Sequence, residues 1–524
     1  MNFKTSLLEA ASPPPRTAAG AILILILLLG SCSPNDGIKI QQIINTAEST
    51  SLPPTATQTI EPNIILNPLT GLPAADPSLL ELPALLVSIS HFPVTARPQA
   101  GLSFAPYVFE IYITEGATRF LTTFYGEFPA PEIPITGNCE TRREIFTQTD
   151  LILSNRVWLD SNQNNMQDPH ERGIGGACVN LYGTNLSLLQ QTTTDSNGYY
   201  GFNVAAGKYL VAFAKPPGME FAHKNVGDEE TDSDVDQASG WSDELDVSSS
   251  LLHLDVGLIL LSDNIPSSTI LPEAKVGPVR SGRLIYADIA AFFADSCLIY
   301  AFASPEVLAE LPRCAFVTHD VQGGGYMLDI NEMTQLASDS KKGKINYSSN
   351  IYSFEPPEGG APASRLDVYI VWLNQSAWVY DALSQSWWRY VDDANPETAG
   401  TLHPEVDRLT GRQLHFENVI VLFAKHDVVS LTNLDIHLEQ NLVGNALLFR
   451  DGKKYEITWS TIATEEELRT GRRKPIQFLY PDEITLFPLK PGHTWIIVVT
   501  PETIVSEQIS GEWLLKFSQP PGAK

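Results

Sequence analysis

Twelve residues, Asp160–Glu171 (DSNQNNMQDPHE), carry oxygen-bearing side chains at the offsets a hard divalent cation requires. Asp160, Asn162, Asn164, Asp168 and Glu171 stand at positions one, three, five, nine and twelve, and the carbonyl of Met166 is available at position seven. This is the spacing of an EF-hand-like calcium loop, which wraps six to eight oxygens around the ion at roughly 2.3–2.6 Å and ends on a bidentate Glu. The sixth position usually carries Gly for its positive φ; here it is Asn165, the next most tolerant residue type. The alternative reading is a polar surface turn. A second acidic run, Asp228–Asp236, offers Asp232, Asp234 and Asp236 for a second calcium, with a solvated acidic loop as its alternative.

A different chemistry attaches to four arginines: Arg97 in ARPQ, Arg119 in EGATRFL, and Arg280 and Arg283 in GPVRSGR. Guanidinium groups fork onto phosphate or carboxylate, so their convergence in an acidic chain would make an anion pocket, with Glu115 as a base or as their partner. The alternative is a structural Arg/Glu ion-pair network. Nucleophile, zincin and phosphate-loop signatures (G-x-S-x-G, H-E-x-x-H, G-x-x-x-x-G-K-[ST]) are absent from the sequence. The ten His are scattered singly, and His415, His426 and His437 fall in strand-like stretches as structural residues. A net charge of −27 argues against nucleic acid as a partner, because that function needs a basic footprint.

The elements that must position these groups follow from periodicity. VNLYG, GYYGFNV and KYLVAF, downstream of the calcium loop, alternate β-branched or aromatic residues with small and polar ones and are separated by turn residues. Residues 150–263 hold 17 Asp/Glu against 5 Lys/Arg, an excess of 12 out of the net −27, concentrated where a cation would offset it. Before and after this segment, ALLVSIS, VFEIYIT and TRFLTTFYG read as strands, YADIAAFFADS and SPEVLAEL have helical spacing, and the chain from Leu366 onward is mostly strand-like. At the N-terminus, Lys4 and Arg16 precede the apolar run AAGAILILILLLG and Leu29-Gly30-Ser31-Cys32. That run suits a signal peptide better than a membrane span, and small residues before a Cys resemble a bacterial lipobox, which implies lipidation of Cys32 and anchoring to the outer face of the membrane. The Ser/Thr/Pro-rich stretch that follows reads as a tether. Four cysteines remain, which allow three pairings; Cys139 with Cys178 and Cys297 with Cys314 is the expected one in an exported, disulfide-permissive setting.

Two family resemblances organise these pieces. NRVWLDSNQNNMQDPHERGIGG, TTTDSNGYYGF, GKYLVAFAKPPG, DEETDSDVDQASG and LDVGL, spanning about 154–258, resemble the SdrD B-like domains of bacterial surface adhesins. The resemblance implies an inserted antiparallel β-sandwich stiffened by calcium, a spacer or binding arm without catalysis. NPLTGLP, ARPQ, EGATRFL, GPVRSGR, VYDALSQSWWRY, DRLTGRQLHFENVIVLF and PGHTWIIVV resemble the YerB-like lipoproteins, whose function is not established, over about 67–127 and 276–501. His91, where that pattern tends to have Asn, and SSNIY at Ser348–Tyr352, in place of a His-containing motif, depart from it.

The expected organisation is multidomain: a lipoprotein signal peptide (1–32), a tether (33–63), an α/β or α+β host domain in two parts (64–130 and 273–365), the inserted sandwich (150–262) and a mostly β C-terminal domain (366–505). The expected function is a non-catalytic, extracytoplasmic binding or scaffold lipoprotein, with calcium as its ion and an envelope polymer or protein as its partner. The alternative is an enzyme acting on an anionic envelope polymer in the manner of the LytR-CpsA-Psr phosphotransferases. The contacts of Arg119, Arg280 and Arg283 separate the two.

Overall fold

The structure is a computed structural model and describes residues 65–523 except 75, 133–138, 140–150, 169–170, 196, 217, 262–271, 313, 317–325 and 431–432. The expected signal peptide, Cys32 and the tether lie outside the described residues.

β1 (Leu85–Ser90, LLVSIS) is buried along its whole length, as a near-continuous apolar strand must be when it lies inside a sheet covered on both faces. β2 (Tyr107–Thr114) and β3 (Ala117–Phe124) form a hairpin. Its turn residues Glu115 and Gly116 both have positive φ, 50° and 82°, the requirement of a type I′ turn that matches strand twist. The chain then leaves this sheet for β4 (Ile152–Leu159), β5 (Cys178–Gly183), β6 (Leu188–Thr193), β7 (Tyr199–Asn203), β8 (Gly207–Phe213), β9 (Met219–Phe221), β10 (Leu245–Val247) and β11 (Val256–Leu260). It returns with β12 (Lys275–Val279), which lies antiparallel to β1, and β13 (Cys297–Tyr300), which lies parallel to it.

β4–β11 build two four-stranded sheets, ordered β10-β8-β5-β6 and β7-β4-β11-β9. Between them lies a separate core of Leu153, Val157, Val179, Leu181, Tyr200, Phe202, Val211, Val256 and others, all from this segment. The sandwich differs from the expected antiparallel one in a single pairing: β11 runs parallel to β4, with Val256 opposite Val157. Cys139 is joined to Cys178 at the start of β5, and Cys297 on β13 to Cys314, with Cα–Cα separations of 5.6 and 5.1 Å.

The host sheet crosses the expected boundary between the second host part and the C-terminal domain. From β1 the order continues β3, β2, Thr494–Val499, Asn418–Phe423, Val443–Arg450 and Lys453–Ser460. The junction is parallel, with Tyr107 opposite Thr494 and Ile111 opposite Val498. β2 is buried on both faces and needs a partner on each edge; β3 supplies one and Thr494–Val499 the other. A second sheet, Leu402–Pro404, Ser386–Asp392, Asn374–Asp381, Arg365–Val371, Glu512–Lys516 and Ile504–Ile509, shares the same core. Leu366, Val368 and Ile370 alternate inward, and Trp378 meets Trp495 edge-on at 5.3 Å. Helices α1 (Ile285–Ala291), α2 (Pro305–Glu310), α3 (Ile330–Ser340) and α4 (Glu465–Thr470) are short, so the described chain is β-rich with several sheets. α4 starts on a capping box of Thr464 and Glu467 and stops at Gly471, whose φ is +67°.

Candidate functional site

The loop after β4 is closed by its own polar groups. Asp160 and Glu171, 1% and 3% exposed, sit at its two ends. Asp160 accepts from the backbone N–H of Asn164 (3.1 Å) and Asn165 (2.8 Å). Asn162 Oδ1 accepts from Asn164 N (3.0 Å), and Asn164 Oδ1 from Met166 N (2.8 Å). Asp168 Oδ2 receives the side-chain amides of Asn162 (2.7 Å) and Asn164 (2.9 Å). Glu171 accepts from Ser161 N (2.7 Å) through one oxygen and from Asp168 N (3.2 Å) through the other, so both carboxylate oxygens turn into the loop. Asn165 has the positive φ, 64°, that its position demands, and its side-chain oxygen accepts from His223 N at 2.9 Å. Met166 is exposed. The five side chains and the Met166 turn therefore belong to one closed loop. Among the described residues no three His, Cys, Asp or Glu side chains form a metal-holding group by themselves, and the loop's donor set depends on Asn and backbone oxygens as well. That mixture fits calcium better than a transition metal.

The second acidic run is arranged differently from the expectation. Asp236 is exposed and turned onto its own turn, accepting from Ser239 N (2.9 Å) and Ser239 Oγ (2.7 Å). Asp255, at the entry to β11, faces Asp234 in its place: Asp255 N donates to Asp234 Oδ2 at 2.6 Å, and Asn155 Nδ2 donates to Asp255 Oδ2 at 2.7 Å. Asp255 is 1% exposed, and its Oδ1, like Oδ1 of buried Asp232, has no hydrogen-bond partner. Burial, and then the neighbouring Asp234, pushes the Asp255 carboxyl up to about 8. Burial, and then Asp232, pushes Asp234 to about 7. Asp232, Asp234 and Asp236 therefore do not converge: Asp236 turns outward, Asp234 pairs with Asp255, and among the described residues no three carboxylates come together as a metal-holding group.

The arginines divide between the two faces of the host sheet. On β3, Thr118 and Arg119 point to opposite sides, as successive strand residues must. Thr118 faces Glu110, and His91 Nδ1 meets Thr118 Oγ1 at 2.7 Å. Arg97 lies with His91, its Nη2 being 2.7 Å from His91 Nε2, and another amino group donates to the Asp392 carbonyl. Arg97 therefore does not join the expected cluster. Arg119 lies on the α1 face and donates through Nη1 to the carbonyl (3.1 Å) and hydroxyl (2.5 Å) of Ser281. Arg280 Nε donates to Ser90 Oγ at 3.2 Å, and Arg283 Nη1 to the Gly282 carbonyl at 2.9 Å. Burial, with the charges of Arg283 and Arg280, brings Arg119 down to about 9. Glu115 is exposed at the hairpin turn and forms no described bond with any of them; its position is set by turn geometry.

The sequence reading missed the most deeply buried charges. Arg389, 0% exposed, forms ion pairs with Glu110 (3.3 Å) and Glu405, and its guanidinium lies 4.3 Å from the Trp495 ring centre and 5.1 Å from that of Trp378. Glu110 and Glu405 are far from Arg389 in sequence, so no local motif marks the group. His415, His426 and His437 hold structural positions. Burial lowers His415 and His426 to about 4. His437 bridges Asp427 at 2.8 Å and Glu439 at 3.1 Å. In the SSNIY stretch, Asn350 pairs with the backbone of Ile476 and Phe478. The sandwich meets the host at Arg412, where a Cβ on Gly175 would fall 2.4 Å from the guanidinium carbon; Arg412 also forms an ion pair with Glu132, in the chain leaving the host.

Comparison with known proteins follows this division. The SdrD B-like domain pattern matches residues 152–258. The N-terminal and C-terminal domain patterns of a protein of unknown function, DUF3048, match residues 69–171 and 368–496. The N-terminal match overlaps the SdrD B-like one at 152–171, where β4 pairs within the sandwich and not with the host sheet. The chain is 41% identical over 87 residues to the fibrinogen-binding protein of Staphylococcus epidermidis, covering 16% of this chain and 8% of that protein. It is 46% identical over 68 residues to serine-aspartate repeat-containing protein I of Staphylococcus saprophyticus, covering 13% and 4%. The chain thus spans less than a tenth of the length of these curated relatives. The crystal structure of the YerB protein from Bacillus subtilis aligns over 83% of this chain and 96% of that one, with 16% identity and a TM-score of 0.44. The chain carries an adhesin-like SdrD B-like domain together with both DUF3048 domains.

Proposed function

We propose that this protein is a non-catalytic, extracytoplasmic binding or scaffold lipoprotein, held on the membrane through Cys32 and carrying a calcium-stabilised sandwich. The observation that carries the reading is the closed loop Asp160–Glu171, in which two nearly buried carboxylates end a run of alternating oxygen donors. Calcium would supply the positive charge that this loop and the Asp234–Asp255 pair lack; Asp160, Asn162, Asn164, the Met166 carbonyl, Asp168 and Glu171 would hold it. The sandwich has its own core and folds back on the host at Arg412, so the ion braces a module that the host presents. The partner of the presented surface is an envelope polymer or protein. The N-terminal lipid provides the membrane contact in this reading; no described helix is long and apolar enough to cross a membrane.

The test melts the full chain in millimolar calcium and in EGTA. Binding to the folded state alone raises stability by RT ln(1 + [L]/Kd), about 2.7 kcal/mol at a hundredfold excess over Kd. Equal midpoints in the two buffers would reduce the loop to a polar turn. Cys32→Ser should move the protein from carbonate-washed membranes to the soluble fraction, since a hydroxyl cannot form the lipid thioether.

A further inference from the structure

Several arginines of the host close onto carboxylates. Arg365, Arg389, Arg412, Arg450 and Arg472 each form an ion pair with Asp or Glu. Arg119 and Arg283 donate to neighbouring residues, Ser281 and Gly282, yet among the described residues neither meets a carboxylate, and Nε of each has no partner. The protein has 61 Asp/Glu against 34 Lys/Arg, so acidic side chains are plentiful, and holding two adjacent guanidiniums out of water without one is costly.

We propose that Arg119 and Arg283, with Arg280 at the rim and the Ser281 hydroxyl, form a binding site for a phosphate-type oxyanion. The backbone fixes these groups. Arg280 N donates to the Ser88 carbonyl of β1 at 2.8 Å, Gly282 N to the Phe302 carbonyl at 2.6 Å, and Ala301 N to the Arg280 carbonyl at 2.9 Å. The segment Arg280–Arg283 is therefore pinned between β1 and the chain leaving β13. On the other edge of β1, Arg119 stands opposite Ser90. Ser281 Oγ accepts from Arg119, which leaves its proton to donate to an anion. All three arginines remain partly exposed, so an anionic group can enter while the rest of its molecule stays outside. Guanidinium forks approaching from β3 and from the loop after β12, with a hydroxyl between them, suit the several oxygens of a tetrahedral phosphoryl group. The site lies on the host and does not depend on calcium in the sandwich.

Titration calorimetry on the full chain in detergent, at constant ionic strength and in both calcium and EGTA, tests this with inorganic phosphate, pyrophosphate and a short-chain phosphatidic acid below its micelle concentration. We expect saturable one-to-one binding, weakened about tenfold or more by Arg283→Gln and by Arg119→Gln, and weakened less by Arg283→Lys, which keeps the charge and loses the fork. Tighter binding of pyrophosphate assigns the site to a soluble phosphate compound; tighter binding of the lipid assigns it to a membrane headgroup. Arg365→Gln, the same loss of charge elsewhere on the host, should leave affinity unchanged. Absence of saturable heat with the folded wild type, or equal weakening by Arg365→Gln, overturns the site. Binding in calcium and EGTA alike keeps this outcome separate from the fate of the calcium loop.

Discussion

In the sandwich the inward-facing charge is mainly acidic: Asp255 and Asp234 face each other across a backbone hydrogen bond, and Asp160 and Glu171 close a loop on amide donors, with Arg156 alongside on the Glu171 carbonyl. In the core of the host the buried charge is a guanidinium enclosed by Glu110 and Glu405 and covered by two Trp rings. If calcium binds as proposed, the first region is completed from outside and its stability should follow the solution. The second carries its own counter-charges and should respond less to ions in solution.

The largest break in this contrast comes from Arg389→Met. Keeping bulk but removing the cation leaves Glu110 and Glu405 buried without it, an expected loss of about 3–5 kcal/mol. By scanning calorimetry the host transition should fall while the sandwich transition holds; a common shift would mean that the two cores melt as one. Next in size is Glu171→Gln, which removes the bidentate ligand and should abolish most of the calcium gain of about 2.7 kcal/mol at a hundredfold excess, leaving the midpoint in EGTA nearly unchanged.

The pH dependence sharpens the contrast further. Asp234 and Asp255 titrate at about 7 and about 8 in the folded sandwich against an ordinary 3.8. The folded state therefore holds more protons than the unfolded state between those values, and calcium-free stability should fall as pH rises from about 4 to about 8. Calcium, by favouring the ionised acids, should flatten that fall, and Asp255→Asn should flatten it without calcium. Thermal melts across the pH range in EGTA read this directly, and a flat wild-type profile would remove the pair from the account. The smallest effect belongs to Gly175→Ala, where the new methyl must displace the Arg412 guanidinium at the contact between the regions. About 1 kcal/mol is expected, visible as a lowered midpoint in thermal melts of the full chain.

Local spacing made the Asp160–Glu171 loop legible as a candidate site, because its oxygen-bearing side chains lie within twelve residues of chain. The two strands of the β2–β3 hairpin were equally legible, as VFEIYIT and TRFLTTFYG. Asp255 was missed as the partner of Asp234 because β11 and the acidic run meet only in the folded sandwich, whereas Asp236, two residues from Asp234, is carried outward by its turn onto Ser239. Arg97 and Arg119 share family-like motifs yet occupy opposite faces of one sheet, a separation that depends on where the chain passes after β1. The Arg389 group was invisible for the same reason: its members come from β2, from Ser386–Asp392 and from the stretch after Leu402–Pro404.

The parallel seam between β2 and Thr494–Val499 has a consequence for timing. A chain that emerges from its N-terminus presents β1, β2 and β3 early, but the strand that completes β2 arrives nearly 400 residues later, and closing so long a loop is slow. The sandwich needs nothing beyond Leu260 for its sheets and can fold while the C-terminal half of the host is still absent. Biogenesis should therefore pass through a species with a finished sandwich set in an open host whose apolar β2 edge awaits its neighbour. That interval is when the protein is most exposed to aggregation.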